Sequence, residues 1–341
     1  ILTLSSHQIE SGERKRRSII VQRSLSGKVE QTPKIFAMFP GGTHLFALVK
    51  GALGLRLYDK VIFIQPYRLL WLLALLFGKE RCYVFCLEDC FSAGNEQKFY
   101  IWGRICRKVG FVNPLVADTF RKAFGGHCVA VSTPQPVMRD IPDIEWVVEK
   151  FRERERKARK KVRFTVMSRI TKSKGIIDLV KVWPDDLSME LCIYGDGEAR
   201  RELEMISNEK PNVVIEGAFD SSSRKERLKN IFGNTHCLIV PTTEHPEGLP
   251  SVILEAIACG VPFICCRTAG LKFFDGEMLE GRIPFCSSVD FKEIPGAAKG
   301  IAYRYRKGNI DPKEIRGAFD DSFKWEVLVR NIEEFLDLSK K

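Results

Sequence analysis

The 341-residue sequence lacks the side-chain patterns that mark several common chemistries. Its five histidines, at positions 7, 44, 127, 236 and 245, show no paired spacing, and no CxxC accompanies them, so a zinc site has no ligand set. No Asp-x-Asp motif follows a strand-like run, which removes the usual carboxylate pair for a metal-bridged phosphate. No stretch of about 18 apolar residues occurs, the length a helix needs to cross a bilayer. The nine apolar residues from Leu69 to Phe77 are too short, and burial between a sheet and the interdomain connector is expected for them. Gly195-Asp196-Gly197 lacks the third glycine of a dinucleotide-binding turn, which argues against a Rossmann oxidoreductase. Internal repeats and low-complexity tracts are also missing. Cysteine, by contrast, is plentiful. Eleven thiols are scattered through apolar runs, an odd count that suits buried free cysteines in a reducing, cytoplasmic setting. Cys82, Cys86 and Cys90 straddle a predicted strand and its exit, so they would not converge on one face.

The most informative stretch is Glu247-Gly248-Leu249-Pro250-Ser251-Val252-Ile253-Leu254-Glu255. The apolar run Cys237 to Pro241 precedes it, and Ala256 to Pro262 follows. The pattern predicts strand, loop, helix, turn, strand. Pro250 suits the first helical turn, where its missing N–H costs nothing, and Gly260 suits the position just past the helix end. Glu247 then lies at a helix mouth, where free backbone N–H groups and the helix dipole favour an anion such as phosphate. Glu255 falls near the middle of the short helix, placed to accept hydrogen bonds from hydroxyls.

Upstream, the strand pattern Val162 to Met167 runs into Ser168-Arg169-Ile170-Thr171-Lys172-Ser173-Lys174-Gly175 and a helical segment from Ile176. Arg169 and Lys174 therefore converge near one strand end, a planar fork and a mobile point charge for phosphate oxygens. Leu191 to Tyr194 meets Gly195-Asp196-Gly197, and Val213 to Glu216 meets Gly217-Ala218-Phe219. Every one of these candidates follows a predicted strand, and parallel α/β sheets bind ligands beyond the carboxyl ends of their strands.

Over about residues 160 to 270, and more loosely at Asp320 to Glu326, these segments resemble the retaining nucleotide-sugar glycosyltransferases of glycosyltransferase family 4. The resemblance implies the GT-B fold, two Rossmann-like doubly wound α/β domains facing across a cleft. It implies an acceptor-binding domain over residues 1–145, a charged connector over 146–161 and a donor-binding domain over 162–318. A C-terminal helix within 319–341 would return to the first domain. By the same resemblance Arg169 and Lys174 hold the donor diphosphate, and Glu247 contacts the donor sugar. Glu255 binds the ribose, and the loop at Gly217, Ala218 and Phe219 packs on the base. Gly195 and the segment Gly248, Leu249, Pro250 and Ser251 complete the donor set. Glu88 and Asp89, after the strand pattern Arg81 to Leu87, are candidate catalytic acids from the first domain. The family commonly reads Glu-Gly-Phe-Gly where this chain has Glu247-Gly248-Leu249-Pro250, so the proline removes one backbone donor from the phosphate cradle. The implied reaction is metal-independent and cofactor-free, with a nucleotide diphosphate sugar, UDP-linked in preference to GDP-linked, as co-substrate.

The balance of charge is uneven. Residues 1–160 hold 27 Lys+Arg against 15 Asp+Glu, and the remainder 27 against 28. In the resembled family the N-terminal half binds the acceptor. Arg14-Lys15-Arg16-Arg17 forms one basic cluster, and Arg104, Arg107 and Lys108 form another on a predicted helix beside Tyr100, Ile101 and Trp102. Such clusters suit a glycan or lipid-linked acceptor at an anionic membrane surface, as in cell-surface polysaccharide or glycolipid synthesis, with the protein peripheral on the inner face. No nucleic-acid recognition motif accompanies them. The dense charged run Glu149 to Lys161 predicts a solvated connector helix. The competing readings are an inactive homologue serving as a partner subunit, or a nucleotide-sugar epimerase.

Overall fold

A computed structural model describes residues 2–5, 18–23, 35–38, 59–64, 75, 78–86, 96–111, 114–131, 141–218, 224–243, 250–267 and 283–338. The chain divides into two compact units, Ile1–Thr133 with Val329–Lys341, and Pro134–Leu328.

The first unit is built on seven strands in sequence order. They are β1 (Leu2–Ser5), β2 (Ser18–Arg23), β3 (Ile35–Met38), β4 (Lys60–Ile64), β5 (Cys82–Cys86), β6 (Lys108–Phe111) and β7 (Cys128–Ala130). The first three pair antiparallel, and β3 to β7 pair parallel. Helices α1 (Glu96–Ile105) and α2 (Pro114–Phe124) supply two of the crossovers that parallel pairing requires. All five residues of β5 are buried, the continuous apolar run of a strand covered on both faces. Leu75, in the run from Leu69 to Phe77, is exposed.

The end of the chain completes this unit. Helix α10 (Trp325–Phe335) leaves Phe335 buried, edge-on to the rings of Tyr83 and Phe85. Gly110 makes room for it, since a Cβ there would lie 3.2 Å from the Phe335 ring. Two residues on, Asp337 accepts hydrogen bonds from Lys108 Nζ (2.5 Å), Arg107 Nε (2.5 Å) and the Tyr83 hydroxyl (3.0 Å). Lys60 Nζ donates to the same hydroxyl.

The second unit holds β8 (Val162–Met167), β9 (Met189–Tyr194), β10 (Val213–Gly217), β11 (Cys237–Val240), β12 (Phe263–Cys266) and β13 (Ser287–Val289). All pairs are parallel, and the order is β10-β9-β8-β11-β12-β13. Strand order thus reverses between β8 and β11, and connections from these neighbours leave in opposite directions. That switch point is where a crevice opens at the carboxyl end of an α/β sheet. Around it lie α3 (Ile144–Ala158), α4 (Ile176–Val182), α5 (Arg200–Ser207), α6 (Arg224–Phe232), α7 (Ser251–Ala258), α8 (Ile294–Arg306) and α9 (Pro312–Ser322). Among the described residues no helix is long and apolar enough to cross a membrane.

Helix α3 carries the charged run that reads as a solvated connector, and it is not solvated on all sides. Asp143 caps its first turn by accepting from Trp146 N, and Val147, Phe151, Arg154 and Ala158 form a buried stripe at helical spacing. Arg154 is fully buried. Its guanidinium donates to the carbonyls of Phe232 (3.0 Å), Thr235 (3.1 Å) and Gly260 (3.4 Å). Phe232 ends α6 and Gly260 lies just past α7, so the cation is met by the negative ends of two helices rather than by a carboxylate. His236 sits alongside, accepting from Arg163 N at Nδ1 and pointing Nε2 at the Arg154 carbonyl.

Candidate functional site

The exits of β8 and β11 meet at the switch point. After β8 the chain passes Arg169 and forms a short 3-10 turn, Lys172–Lys174, closed by Gly175 with φ +67. A Cβ at Gly175 would overlap the carbonyl oxygen of Pro241, the first residue after β11. Glycine is thus required by conformation and by contact together. Arg169 is exposed and Lys174 half-buried. Burial, then repulsion from the Arg169 guanidinium, holds the Lys174 ammonium below its ordinary pKa. Two cations therefore share one strand end at a cost that a bound anion would relieve.

The β9 exit is stitched to the same loop. Ile170 N donates to the Asp196 carbonyl (2.9 Å), Ala199 N to the Ile170 carbonyl (3.1 Å), and Gly195 N to the Gly217 carbonyl at the end of β10 (2.7 Å). Cβ atoms at Gly195 and Gly197 would overlap the carbonyl oxygens of Ser168 and Ile170, so the Gly-Asp-Gly turn works by close backbone approach. Ala218, just after β10, is exposed. Arg200 binds Glu204 (2.8 Å), stands 3.7 Å from Asp196 and lies beside Gly217.

Pro250 is the residue before α7 rather than its first helical residue, and among the described residues no side chain caps the helix start. Ser251 at that start is exposed. Gly260, with φ +62, follows the far end. There Arg316 Nη1 donates to the Ala258 carbonyl (2.9 Å) and Arg154 reaches Gly260, so two buried guanidiniums anchor the carboxyl end of α7. Glu255 is buried on this helix at 3% exposure. Its Oε1 lies 3.6 Å from Arg227 Nη2 and 3.8 Å from Arg224 Nε, both on α6. Its Oε2 has no hydrogen-bond partner among the described residues. Burial raises the carboxyl pKa, opposed by Arg227 and then Arg224, with a net upward shift.

Of the residues singled out from sequence, Arg169, Lys174 and Gly195 gather at the joined exits of β8, β9 and β11, while Gly217 and Ala218 close β10. Glu88, Asp89, Phe219, His245, Glu247, Gly248, Leu249 and Arg14 to Arg17 lie outside the described residues. The second basic cluster differs from its sequence reading. Arg104 is in the last turn of α1, but Arg107 follows the helix and Lys108 opens β6. Arg107 pairs with Glu80 and Asp337, and Lys108 with Asp337, so both serve the C-terminal segment instead of forming an open basic helix face. Arg224 and Arg227 carry no motif in the sequence. Their i, i+3 spacing puts them on one helix face, but only the folded unit, which brings Glu255 within 3.8 Å, gives that face a target.

Residues 147–273 match the family described as "Glycosyl transferases group 1". No curated protein sequence matches the chain. Among solved structures, Anabaena Alr3699/HepE in complex with UDP superposes with a TM-score of 0.64 at 14% identity, over 85% of this chain and 81% of that one. A glycosyltransferase from Rickettsia africae ESF-5 gives 0.63 at 16% identity, over 88% and 83%. The lipopolysaccharide outer core galactosyltransferase WaaB gives 0.56 at 15%, over 85% and 78%. The fold is GT-B.

Proposed function

We propose that the chain is a glycosyltransferase that moves a sugar from a nucleotide diphosphate donor, UDP-linked in preference to GDP-linked, to a glycan or lipid-linked acceptor. The observation that carries this is the switch point of the second unit. Arg169 and Lys174 share the exit of β8 there, set close against the exit of β11 at Gly175, inside the stretch that matches the group 1 family. Departure of a nucleoside diphosphate places negative charge on the leaving oxygens. Arg169, Lys174 and the start of α7 would stabilise that charge without a metal ion. Glu255 would accept from donor hydroxyls, and Glu247 would orient the sugar and stabilise positive charge developing at its anomeric carbon. In this reading transfer retains configuration, with departure and attack on one face and the leaving phosphate taking the acceptor proton. Glu88 or Asp89 would contribute from the first unit, and Arg14 to Arg17, rather than the paired Arg107 and Lys108, would receive an acceptor at an anionic membrane surface.

Thermal melting against UDP, GDP, ADP, CMP and NAD tests the donor assignment. A ligand at about 100 times its Kd stabilises by roughly 2.7 kcal/mol. The expected result is a shift with one nucleoside diphosphate that is lost in the Arg169→Ala, Lys174→Ala double variant. No shift with any nucleotide overturns the reading.

A further inference from the structure

Glu255 is an unusual carboxylate for its surroundings. It is 3% exposed on a helix whose other residues from Ile253 to Ala258 are all buried, an environment that favours the neutral acid. Two guanidiniums from one face of α6 stand beside it as ion-pair partners, Arg227 the stronger of the two, at longer range than a short hydrogen bond. Their distances of 3.6 and 3.8 Å compare with about 2.9 Å for a well-formed N–H···O contact. Both approach the same oxygen, Oε1. The other, Oε2, is buried with no partner among the described residues. An unmade hydrogen bond to a buried carboxylate is costly and calls for an explanation, one of which is a group supplied from outside the chain.

We infer that Arg227 and Arg224 are positioning residues, which keep Glu255 charged and turned so that Oε2 is reserved for the hydroxyl donors of a ligand. The inference rests on the nucleotide reading of the site and extends it to α6. A carboxylate accepts from two vicinal hydroxyls, whereas a protonated acid has lost much of that capacity. Affinity for a diol-bearing nucleotide should therefore fall as pH drops through the Glu255 pKa. Removing a neighbouring positive charge should move that fall to higher pH. Arg227 has a side chain only 13% exposed and is nearer, so it should matter more than Arg224, which is 34% exposed.

The test is calorimetric titration of the full chain with UDP and GDP between pH 5 and 8, each beside its 2′,3′-dideoxy analogue. The analogue shares the base and the titrating phosphates but lacks the hydroxyls. Arg227→Met should weaken binding of the ribose nucleotide about tenfold near pH 6, the equivalent of one pKa unit, and shift the acid limb upward. Dideoxy binding should stay unchanged, and Arg227→Lys should restore most of the wild-type profile. Arg224→Met should show a smaller shift of the same sign, and its exposure keeps it available if Arg227→Met does not fold. Equal weakening of ribose and dideoxy forms would mean that the arginines only support the fold, and would overturn the inference. So would a pH profile that ignores both variants. If neither UDP nor GDP binds the wild-type chain, the nucleotide reading fails and the inference with it.

Discussion

The two units carry clusters of cations near the starting ends of their parallel strands and neutralise them in different ways. In the first unit Arg107 and Lys108, at the start of β6, stay partly exposed and share the carboxylate of Asp337. In the second, Arg154 is fully buried near the starts of β8 and β11, donates its hydrogen bonds to backbone carbonyls and lies over the Phe151 ring. The first arrangement holds the end of the chain on the sheet and is open to water and salt. The second is sealed, and it fixes α6 and α7, the helices that bring Arg227 and Glu255 together. A charge at the surface makes an adjustable clasp, while the charge in the core meets carbonyls through its two terminal nitrogens and leaves Nε without a hydrogen bond among the described residues. The unit with the switch point has the rigid solution.

Replacing Arg154 should break the contrast most. Arg154→Met roughly keeps the volume but leaves three carbonyls without their donor. A loss of about 3–5 kcal/mol is expected, read as a lower denaturant midpoint with the slope preserved. Lys at this position should recover only part of it, since a single ammonium cannot reproduce the planar fork.

Acid should separate the two units. Burial, opposed by the hydrogen bond to the Arg154 carbonyl, depresses the His236 pKa from 6.5 to about 3. The neutral ring is the form that accepts from Arg163 N. A base whose folded pKa is depressed contributes fully above the unfolded value and loses that contribution as pH falls toward the folded one. Stability of the second unit should thus decline from about pH 6.5 downward, with a slope of at most roughly 1.4 kcal/mol per pH unit. For Asp337, burial raises the carboxyl, but hydrogen bonds from Lys108, Arg107 and Tyr83 outweigh it and hold the pKa at about 2 against 3.8. Its contribution is present above 3.8 and lost between there and about 2. Amide exchange followed against pH should therefore show β8 and β11 loosening before β5 and β6. The reverse order would contradict the assignment of the two clusters.

The smallest effect is expected at the clasp itself. Asp337→Asn keeps the shape and some hydrogen bonding but removes the charge from a partly exposed network, so a cost of about 1 kcal/mol or less is expected. Moderate salt should erase most of the difference between Asp337→Asn and wild type, and should leave the Arg154→Met deficit in place.

Much of the second unit is legible along the chain. The run Val162 to Met167 is a strand with those bounds, and the Gly-Asp-Gly and Gly260 turns fall where glycine is needed. Short-range patterns suffice there because each strand is an apolar run bounded by residues with special backbone needs. Other features hide. The buried stripe of α3 is masked by its own composition, because one of its four places is an arginine within a dense charged run. Strand β6 is masked by the basic residues before it, since Lys108-Val109-Gly110-Phe111 becomes a strand only by pairing with β5 and β7.

The sequence by itself determined the alternation of strands and helices, the glycines at the strand exits and the cations after β8. All of these depend on neighbours within a few residues, through backbone conformation and periodic burial. Which charge meets which group was decided by tertiary structure alone. Asp337 meets Lys108 across 229 positions, Arg154 reaches Gly260 across 106, and Arg227 comes within 3.6 Å of Glu255 on a different helix. Coulombic and hydrogen-bond partners are chosen by distance in space, and their strength by the burial that packing creates.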